Sequence, residues 1–274
     1  MRIRSPNVTA ATVRAYFDRE ADKGNPLLPD PMTVSGLGTY RKYKQAVELM
    51  VHPAVANVLD LGCNCGSVEF LFHQLHPAKA RTTAVHGIDV SSKAIEQATA
   101  LQLPNCVFRV YDGCRLPYES ETFDLVLMVE VIEHVIDKES LLREVWRVLT
   151  PAGRLFLTTP NPECWALTAE RALWWALRTA FRKPHLAKDA FISQRALATL
   201  LGRSGFPGAD RICRFTWPHL FIYFLGWSIL PPLPPKALYW YQVYCQNLLD
   251  GANAPSWLNR QIQWTSVALA NKRV

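Results

Sequence analysis

Polar residues that can bind a ligand follow the apolar runs in the first half of the chain. The sequence Val58–Gly66 reads VLDLGCNCG, an apolar run followed by a turn of small residues and then a helix-like segment. Gly62 and Gly66 allow backbone conformations and close approaches that a side chain would block, and a helix N-terminus presents unpaired N–H groups. A ligand can therefore lie against bare backbone at this turn. Glycine-rich turns also occur in dinucleotide-binding folds, and the middle position here is Asn64.

Carboxylates accompany this turn and the next two apolar runs. Asp89 ends HGID, Asp112 follows FRVY, and Asp60 directly precedes the turn. A carboxylate after a second strand can accept hydrogen bonds from both hydroxyls of a ribose, and one after a third strand can accept from an adenine amine. The charge of Asp60 can orient the turn and attract a ligand ammonium. The spacing therefore predicts a nucleoside site.

The hydrophobic pattern indicates the elements that hold these residues. Short runs that are apolar on both sides suit strands buried on both faces, with helices above and below a parallel sheet. The predicted strands are Ala56–Leu61, Ala84–Ile88, Cys106–Val110, Phe123–Val129 and Arg154–Thr159, with Arg211–Phe215 and Gln261–Ala270 closing the sheet. The predicted helices are Thr9–Arg19, Gly38–Val51, Ser67–Leu75, Ser92–Leu101, Lys138–Leu149 and Ser193–Arg203, with Ser91 or Ser92 and Asp137 as candidate N-caps of two of them.

Between about Val55 and Phe206 these motifs closely resemble the class I S-adenosylmethionine-dependent methyltransferases, of the small-molecule type represented by the ubiquinone-pathway O-methyltransferases. The resemblance implies an α/β fold with a doubly wound, mostly parallel, seven-stranded Rossmann-like sheet and an aromatic-rich helical cap. It also implies S-adenosylmethionine as the cofactor. By this resemblance the methionine part is lined by Asp60, Gly62, Cys63 and Asn64, the ribose is held by Asp89 and Val90, and the adenine by Asp112 and Gly113. Val129 and Glu130 would face the transferring methyl group.

Three further residues are candidates for catalysis or for covering the cofactor. Glu133 and His134 follow Glu130 in an E-x-x-E-H motif, and His134 is the candidate base for a hydroxyl acceptor because its unperturbed pKa is about 6.5. Similar motifs bind a divalent cation in ubiquinone-pathway and small-RNA 2′-O-methyltransferases, so Glu130, Glu133 and His134 are an alternative metal site that we do not favour. Tyr16 is a candidate lid over the cofactor, and simple packing of its helix is the alternative.

The remaining segments suggest the acceptor. We divide the chain into N-terminal helices (1–54), a cofactor-binding core (55–215) with a cap insertion at about 162–189, an aromatic-rich cap (216–258) and a closing strand (259–274). Tryptophan, tyrosine, phenylalanine and leucine are frequent in both cap segments, which favours a lipophilic small-molecule acceptor such as a natural-product or prenylated ring compound. Either oxygen or nitrogen could receive the methyl group.

Composition limits the partners and the compartment. The formal net charge is +7, but the basic residues are scattered and form no nucleic-acid tail. Seven cysteines and the absence of a secretory leader favour reduced thiols in the cytoplasm. Leu220–Leu230 is apolar but too short to cross a bilayer, so it is interpreted first as a pocket wall and otherwise as a homodimer contact or a peripheral membrane contact.

Alternatives from other functional classes remain open at this point. An RNA 2′-O-methyltransferase fits the E-x-x-E-H motif and the positive charge, although no RNA-binding motif is appended. A membrane-associated quinone-pathway methyltransferase fits the apolar segment. A non-catalytic cofactor-binding scaffold is disfavoured because the turn and the acids are intact.

Overall fold

The computed structural model describes residues 9–24, 27–30, 34–113, 115–161, 192–206, 211–216 and 263–272 of the 274-residue chain. Its strands are β1 (Asn57–Leu61), β2 (Ala84–Asp89), β3 (Cys106–Val110), β4 (Phe123–Val129), β5 (Leu149–Pro160), β6 (Arg211–Thr216) and β7 (Gln263–Asn271). Its α-helices are α1 (Ala10–Ala21), α2 (Val34–Met50), α3 (Ser67–Leu75), α4 (Pro77–Ala80), α5 (Ser92–Ala100), α6 (Lys138–Val148) and α7 (Gln194–Arg203). A 3-10 turn covers Ile132–His134.

The described strands form one sheet in the order β3-β2-β1-β4-β5-β7-β6. Strands β1 to β5 are parallel to one another, whereas β7 is antiparallel to both β5 and β6. The chain winds outward from β1 to β3 and then crosses back to β4 on the other side of β1. Open sheets of this kind bind ligands beyond the carboxyl ends of the strands where the order reverses. The predicted doubly wound, mostly parallel α/β fold is confirmed.

The central strands are apolar because both of their faces are buried. Leu125, Val126, Leu127 and Met128, four consecutive residues of β4, are fully buried. Alternate residues of a strand point to opposite faces, so this run contributes to two cores. One core includes residues of α6 and α7, and the other includes residues of α2 and α3. The helices therefore cover the sheet on both sides and leave its carboxyl edge for a ligand.

Side-chain caps fix the beginnings of the helices near this edge. Ser91 Oγ accepts a hydrogen bond from Ala94 N at 3.2 Å, and Asp137 Oδ1 accepts one from Ser140 N at 3.0 Å. These caps satisfy N–H groups that have no partner within the helix. The predicted caps of α5 and α6 are thus confirmed, with Ser91 rather than Ser92 as the first.

Polar contacts attach the N-terminal helix α1 to α5. Ser91 Oγ donates to Asp18 Oδ1 at 2.6 Å, and Gln97 Nε2 donates to the carbonyl oxygen of Ala21 at 3.1 Å. Lys93 forms an ion pair with Asp22. Ala21 is the buried residue of α1. Helix α1 is therefore positioned mainly by hydrogen bonds and charge.

The structure corrects several element boundaries. Strand β5 begins at Leu149 instead of Arg154, because Leu149 pairs with Phe123 across a register shift and the intervening Thr150–Ala152 interrupt the apolar pattern. Helix α2 begins at Val34 instead of Gly38, and the short α4 was not predicted. The cap segments 162–189 and 216–258, including Leu220–Leu230, fall almost entirely outside the described residues. No helix in the described part of the chain is long and apolar enough to cross a membrane.

Asp124 anchors the start of β1, the strand that leads into the small-residue turn. Its Oδ2 accepts hydrogen bonds from Ala56 N at 2.9 Å and Asn57 N at 3.0 Å. We expect Asp124→Ala to lower the free energy of unfolding by about 2 kcal/mol, because two backbone donors lose a charged acceptor. Asp124→Asn keeps an acceptor oxygen and should cost less. Urea unfolding of both variants tests this expectation, and equal losses would contradict it.

Candidate functional site

A cavity of about 800 Å³ lies at the carboxyl edge of the sheet, beneath α1 and α2. This volume is in the range of small-molecule sites, roughly 300–1,000 Å³. The structure brings most of the sequence-predicted residues together in its wall, although they come from distant parts of the chain. These residues are Asp60, Gly62, Cys63, Asn64, Asp89, Val90, Asp112, Gly113, Val129, Glu130 and His134.

The turn after β1 has the backbone geometry that the glycines suggested. Gly62 has φ +83° and Gly66 has φ +81°. A Cβ atom added to Gly62 would lie 2.4 Å from Val131 Cγ2. The N–H groups of Gly62 and Cys63 both donate to the carbonyl oxygen of Ile88, at 2.7 and 3.1 Å. The turn is therefore fastened to the end of β2, with no side chain at its tightest point.

Asp89 is held by backbone donors on both of its carboxylate oxygens. Its Oδ2 accepts from Asn64 N at 3.0 Å, and its Oδ1 accepts from Ser91 N at 2.9 Å. Burial raises the pKa of Asp89, and these hydrogen bonds oppose that rise. Each carboxylate oxygen has a further lone pair, so Asp89 can still accept hydrogen bonds from two ligand hydroxyls.

A second carboxyl group, which the sequence analysis missed, lies beside Asp60 below the turn. Asp60 is 2% exposed and Glu69, on α3, is fully buried. Burial is the main cause that raises the pKa of each carboxyl group. Glu69 lies among the buried apolar residues Val68, Leu71 and Phe72 of α3. A charged residue type on the apolar face of a predicted helix was the available signal.

Glu130 is fixed at the end of β4 in a left-handed backbone conformation, with φ +58°. Its N–H donates to both the carbonyl oxygen and Oγ1 of Thr158 at 3.1 Å, and Thr158 Oγ1 donates to Glu130 Oε1 at 2.9 Å. Lys42 Nζ, on α2, lies 3.4 Å from Glu130 Oε2. Lys42 lines the cavity and was not predicted, since it lies far from Glu130 in sequence.

Glu133 lies behind His134 instead of in the cavity wall. Its Oε2 accepts from Thr159 Oγ1 at 3.0 Å, and its Oε1 is 3.9 Å from His134 Nε2. Burial, and then the charge of Glu130, raise the pKa of Glu133. His134 itself faces the cavity. The pair places a carboxyl group behind a cavity-facing imidazole, an arrangement that can orient the ring and stabilise its protonated form.

The E-x-x-E-H residues do not fit a shared metal ion. Glu130 and Glu133 are held by Thr158 and Thr159, which are consecutive residues of β5. Each carboxyl group thus has its own hydrogen-bond partner on β5. The ammonium of Lys42 already balances the charge of Glu130. Within the described ranges, no three His, Cys, Asp or Glu side chains form a group that could hold a metal ion.

The structure places Phe17, and not Tyr16, in the cavity wall. The Phe17 ring makes an edge-to-face contact with His134, with ring centroids 5.1 Å apart, and Tyr16 packs against Phe17 at 5.2 Å. Neighbouring residues of a helix point about 100° apart, so the choice of Tyr16 missed the inward face by one position. Tyr43 of α2 also lines the cavity, and burial raises its pKa to about 12.

The fold and the site together define an α/β protein with a cavity of small-molecule size at the switch point of a doubly wound sheet. The sequence model of a family described as a methyltransferase domain matches residues 38–208. This match covers more than half of the chain. The protein therefore belongs to that methyltransferase family, as the resemblance implied.

Individual relatives agree with this assignment over part of their length. The chain is 36% identical to norajmaline N-methyltransferase of Rauvolfia serpentina, over 37% of this chain and 35% of that protein. It is 33% identical to 27-O-demethylrifamycin SV methyltransferase of Amycolatopsis mediterranei (strain S699), over 42% of this chain and 43% of that protein. It is also 33% identical to ubiquinone biosynthesis O-methyltransferase of Xanthomonas axonopodis pv. citri (strain 306), over 60% of this chain and 68% of that protein. The matches thus span less than half the length of the first two relatives.

A solved structure shows the same fold. A SAM-dependent methyltransferase from Thermotoga maritima, described as a possible histamine N-methyltransferase, aligns with TM-score 0.56 and 19% identity. The alignment covers 95% of this chain and all of that one. At this identity the likeness supports the fold alone.

Gly62 provides a test of the turn. We expect Gly62→Ala to lower the free energy of unfolding by about 1–3 kcal/mol, because a side chain is strained at positive φ and its Cβ would overlap Val131. The double variant Gly62→Ala, Val131→Ala should recover the part of the lost free energy of unfolding that is due to overlap of the added Cβ atom with the Val131 side chain. Denaturant unfolding measures both. A double variant that is less stable than the sum of its single changes would contradict the geometry.

Proposed function

We propose that this protein transfers a methyl group from S-adenosylmethionine to an oxygen or nitrogen atom of a lipophilic small molecule. The observation that supports the proposal best is the convergence of Asp60, Asp89 and Asp112 on one cavity with the side-chain-free turn at Gly62. Membership of the methyltransferase family supports the reaction class. The residues present fit the cofactor, because its ribose hydroxyls, amines and positive charge all need acceptors or anions.

Each part of the cofactor has a matching set of residues in this proposal. Asp89, fastened by Asn64 N and Ser91 N, would accept from the ribose hydroxyls, with Val90 against the ring. Asp112 and Gly113 would hold the adenine. Asp60, Gly62, Cys63 and Asn64 would surround the methionine part, and Val129 and Glu130 would face the methyl group.

The cofactor supplies an activated methyl group whose sulfonium charge disappears on transfer. The protein therefore has to align the acceptor and exclude water, more than stabilise new charge. A hydroxyl acceptor also has to lose its proton. His134 would accept that proton at the cavity wall, while Glu133, held by Thr159 Oγ1, would stabilise the imidazolium behind it. An amine acceptor that arrives unprotonated needs no such base.

The apolar part of the cavity wall supports a lipophilic acceptor. Val13 and Phe17 of α1 line the cavity together with Val131, Val135 and Ile136. Ile136 is 61% exposed, an unusual exposure for an isoleucine that lines a cavity. The names of two relatives refer to an alkaloid, norajmaline, and to a rifamycin, and both are ring compounds. These observations favour small molecules over nucleic acid.

Other parts of the proposal rest on sequence alone. A cytoplasmic location, a homodimer and a peripheral membrane contact through Leu220–Leu230 remain predictions, since that segment lies outside the described residues. The RNA 2′-O-methyltransferase alternative has less support, because Glu130 is paired with Lys42 and Glu133 with Thr159. Turnover in a methyl-transfer assay would distinguish an enzyme from a scaffold that only binds the cofactor.

Asp89 tests the cofactor site. We expect Asp89→Ala to weaken binding of S-adenosylmethionine about 10- to 100-fold, because hydrogen bonds to a charged acceptor contribute roughly 1.5–3 kcal/mol each. The control Glu96→Ala removes an exposed carboxylate from the adjacent α5 and should bind normally. Isothermal titration calorimetry measures the affinity. Absence of binding by the wild-type protein would refute the proposed function.

His134 tests the chemistry. We expect His134→Gln to reduce methyl transfer to lipophilic phenols by about 100-fold or more, since general bases typically contribute 10²- to 10⁴-fold. Transfer to lipophilic secondary amines should fall much less. A panel of both acceptor types, assayed with methyl-labelled cofactor, gives the comparison. Equal losses for phenols and amines would assign His134 to packing instead of base catalysis.

A further inference from the structure

Glu69 has an environment that the proposed chemistry does not use. It is fully buried on α3, and among the described residues neither of its carboxyl oxygens has a hydrogen-bond partner of good geometry. The polar side chain that interacts with it directly is the carboxyl group of Asp60. An ionised carboxylate in such a place, without a donor or a cation, would be very costly. The environment therefore strongly favours the neutral form of Glu69.

The interaction between the two carboxyl groups requires a proton. Two ionised carboxylates repel each other and contain no hydrogen to share, so a hydrogen bond between Asp60 and Glu69 needs one of them protonated. The one further charge that raises the pKa of Asp60 among the described residues is that of Asp89 on β2. Besides burial, which is the larger cause, the pair in turn raises the pKa values of Tyr43, Cys63 and Cys106, which lie around it and carry no positive charge. The nearby cation Lys42 is paired with Glu130.

Only one member of the pair faces the ligand. Asp60 lines the cavity, whereas Glu69 does not and lies behind it. The member with no route to solvent is the better one to keep its proton, because the cavity-facing member can be stabilised by a ligand cation or by water. The O–H of Glu69 would then point to Asp60.

We propose that Glu69 is a positioning residue that stays protonated, donates its O–H to Asp60, and so presents the Asp60 carboxylate to the cationic part of the cofactor. This inference rests on the proposed function. The neutral Glu69 pairs with either form of Asp60, but its donated hydrogen bond favours the ionised form. When the cofactor binds, any Asp60 that is still protonated releases its proton to solvent.

The pH dependence has a defined sign. A cationic ligand prefers ionised Asp60, so cofactor affinity should rise with pH until Asp60 is fully ionised, by up to about tenfold per pH unit, and then level off. Burial raises the pKa of Asp60, which brings this rise toward neutral pH, whereas the hydrogen bond from Glu69 lowers that pKa. Removing the donor should therefore move the rise to higher pH. Asp89 also has a raised pKa, but it lacks this donor.

The experiment is calorimetry with S-adenosylmethionine across about pH 5.5 to 7.5, in two buffers of different ionisation enthalpy, which gives both affinity and protons released. Glu69→Gln keeps a donor, so its pH profile should match the wild type. Glu69→Leu should bind about tenfold more weakly near pH 6.5, with its profile displaced to higher pH. Asp60→Asn has no carboxyl group at this position, so it should release fewer protons than the wild type when the cofactor binds. Glu48→Leu, an exposed change on α2, is the control and should match the wild type.

The outcomes separate the inference from the proposed function. Wild-type protein that binds no cofactor at any pH refutes the function. Binding without the displacement in Glu69→Leu, or an effect of Glu69→Gln as large as that of Glu69→Leu, overturns the role of Glu69 and leaves the function standing. If Glu69→Leu does not fold, the inference is tested by the pH profile of Glu69→Gln and by the proton release of Asp60→Asn. An unchanged release of protons by Asp60→Asn then overturns the inference, whereas a reduced release supports it.

Discussion

The site depends on the hydrogen bonds that attach the turn after β1 to the end of β2. One carbonyl oxygen, that of Ile88, accepts from two successive N–H groups of the turn, and the carboxylate of Asp89 accepts from a third. The turn can follow this path because Gly62 adopts a positive φ and has no side chain to meet Val131. The position of Asp89 and the shape of the turn are therefore set together, before any ligand is present.

The fold was predictable because strand burial is visible in sequence. Runs such as FDLVLMV contain apolar residues on both faces, which is typical of a strand covered on both sides. The shared position of the glycines and the acids at the ends of β1, β2 and β3 was predictable for the same reason, since parallel strands end at one edge of the sheet. Boundaries were less accurate where turn-type residues continue a strand, as at Thr150, Pro151 and Gly153 in β5. Tyr16 and Phe17 show that choosing the inward residue of a short amphipathic helix needs the packing itself.

Pairings between distant residues were not predictable from one sequence. Lys42 and Glu130 come from different elements, and so do Asp60 and Glu69, and nothing in the local pattern links either pair. The position of Glu69 on the apolar face of a predicted helix indicates burial, but it does not indicate that Asp60 is its partner. The E-x-x-E-H motif shows the opposite problem. Its letters suggest three converging ligands, but in the structure Glu130 pairs with Thr158 and Lys42, and Glu133 pairs with Thr159.

The attachment of α1 has a consequence for how ligands could reach the site. This helix covers the cavity with Val13 and Phe17, yet it is joined to α5 through Asp18, Asp22 and a backbone carbonyl. The Lys93–Asp22 ion pair is exposed, so it contributes little net stability and is screened by salt, and the two hydrogen bonds are only partly buried. Local unfolding of α1 should therefore cost far less free energy than global unfolding. We therefore expect α1, the helix that covers the cavity, to unfold locally while the sheet beneath it stays folded.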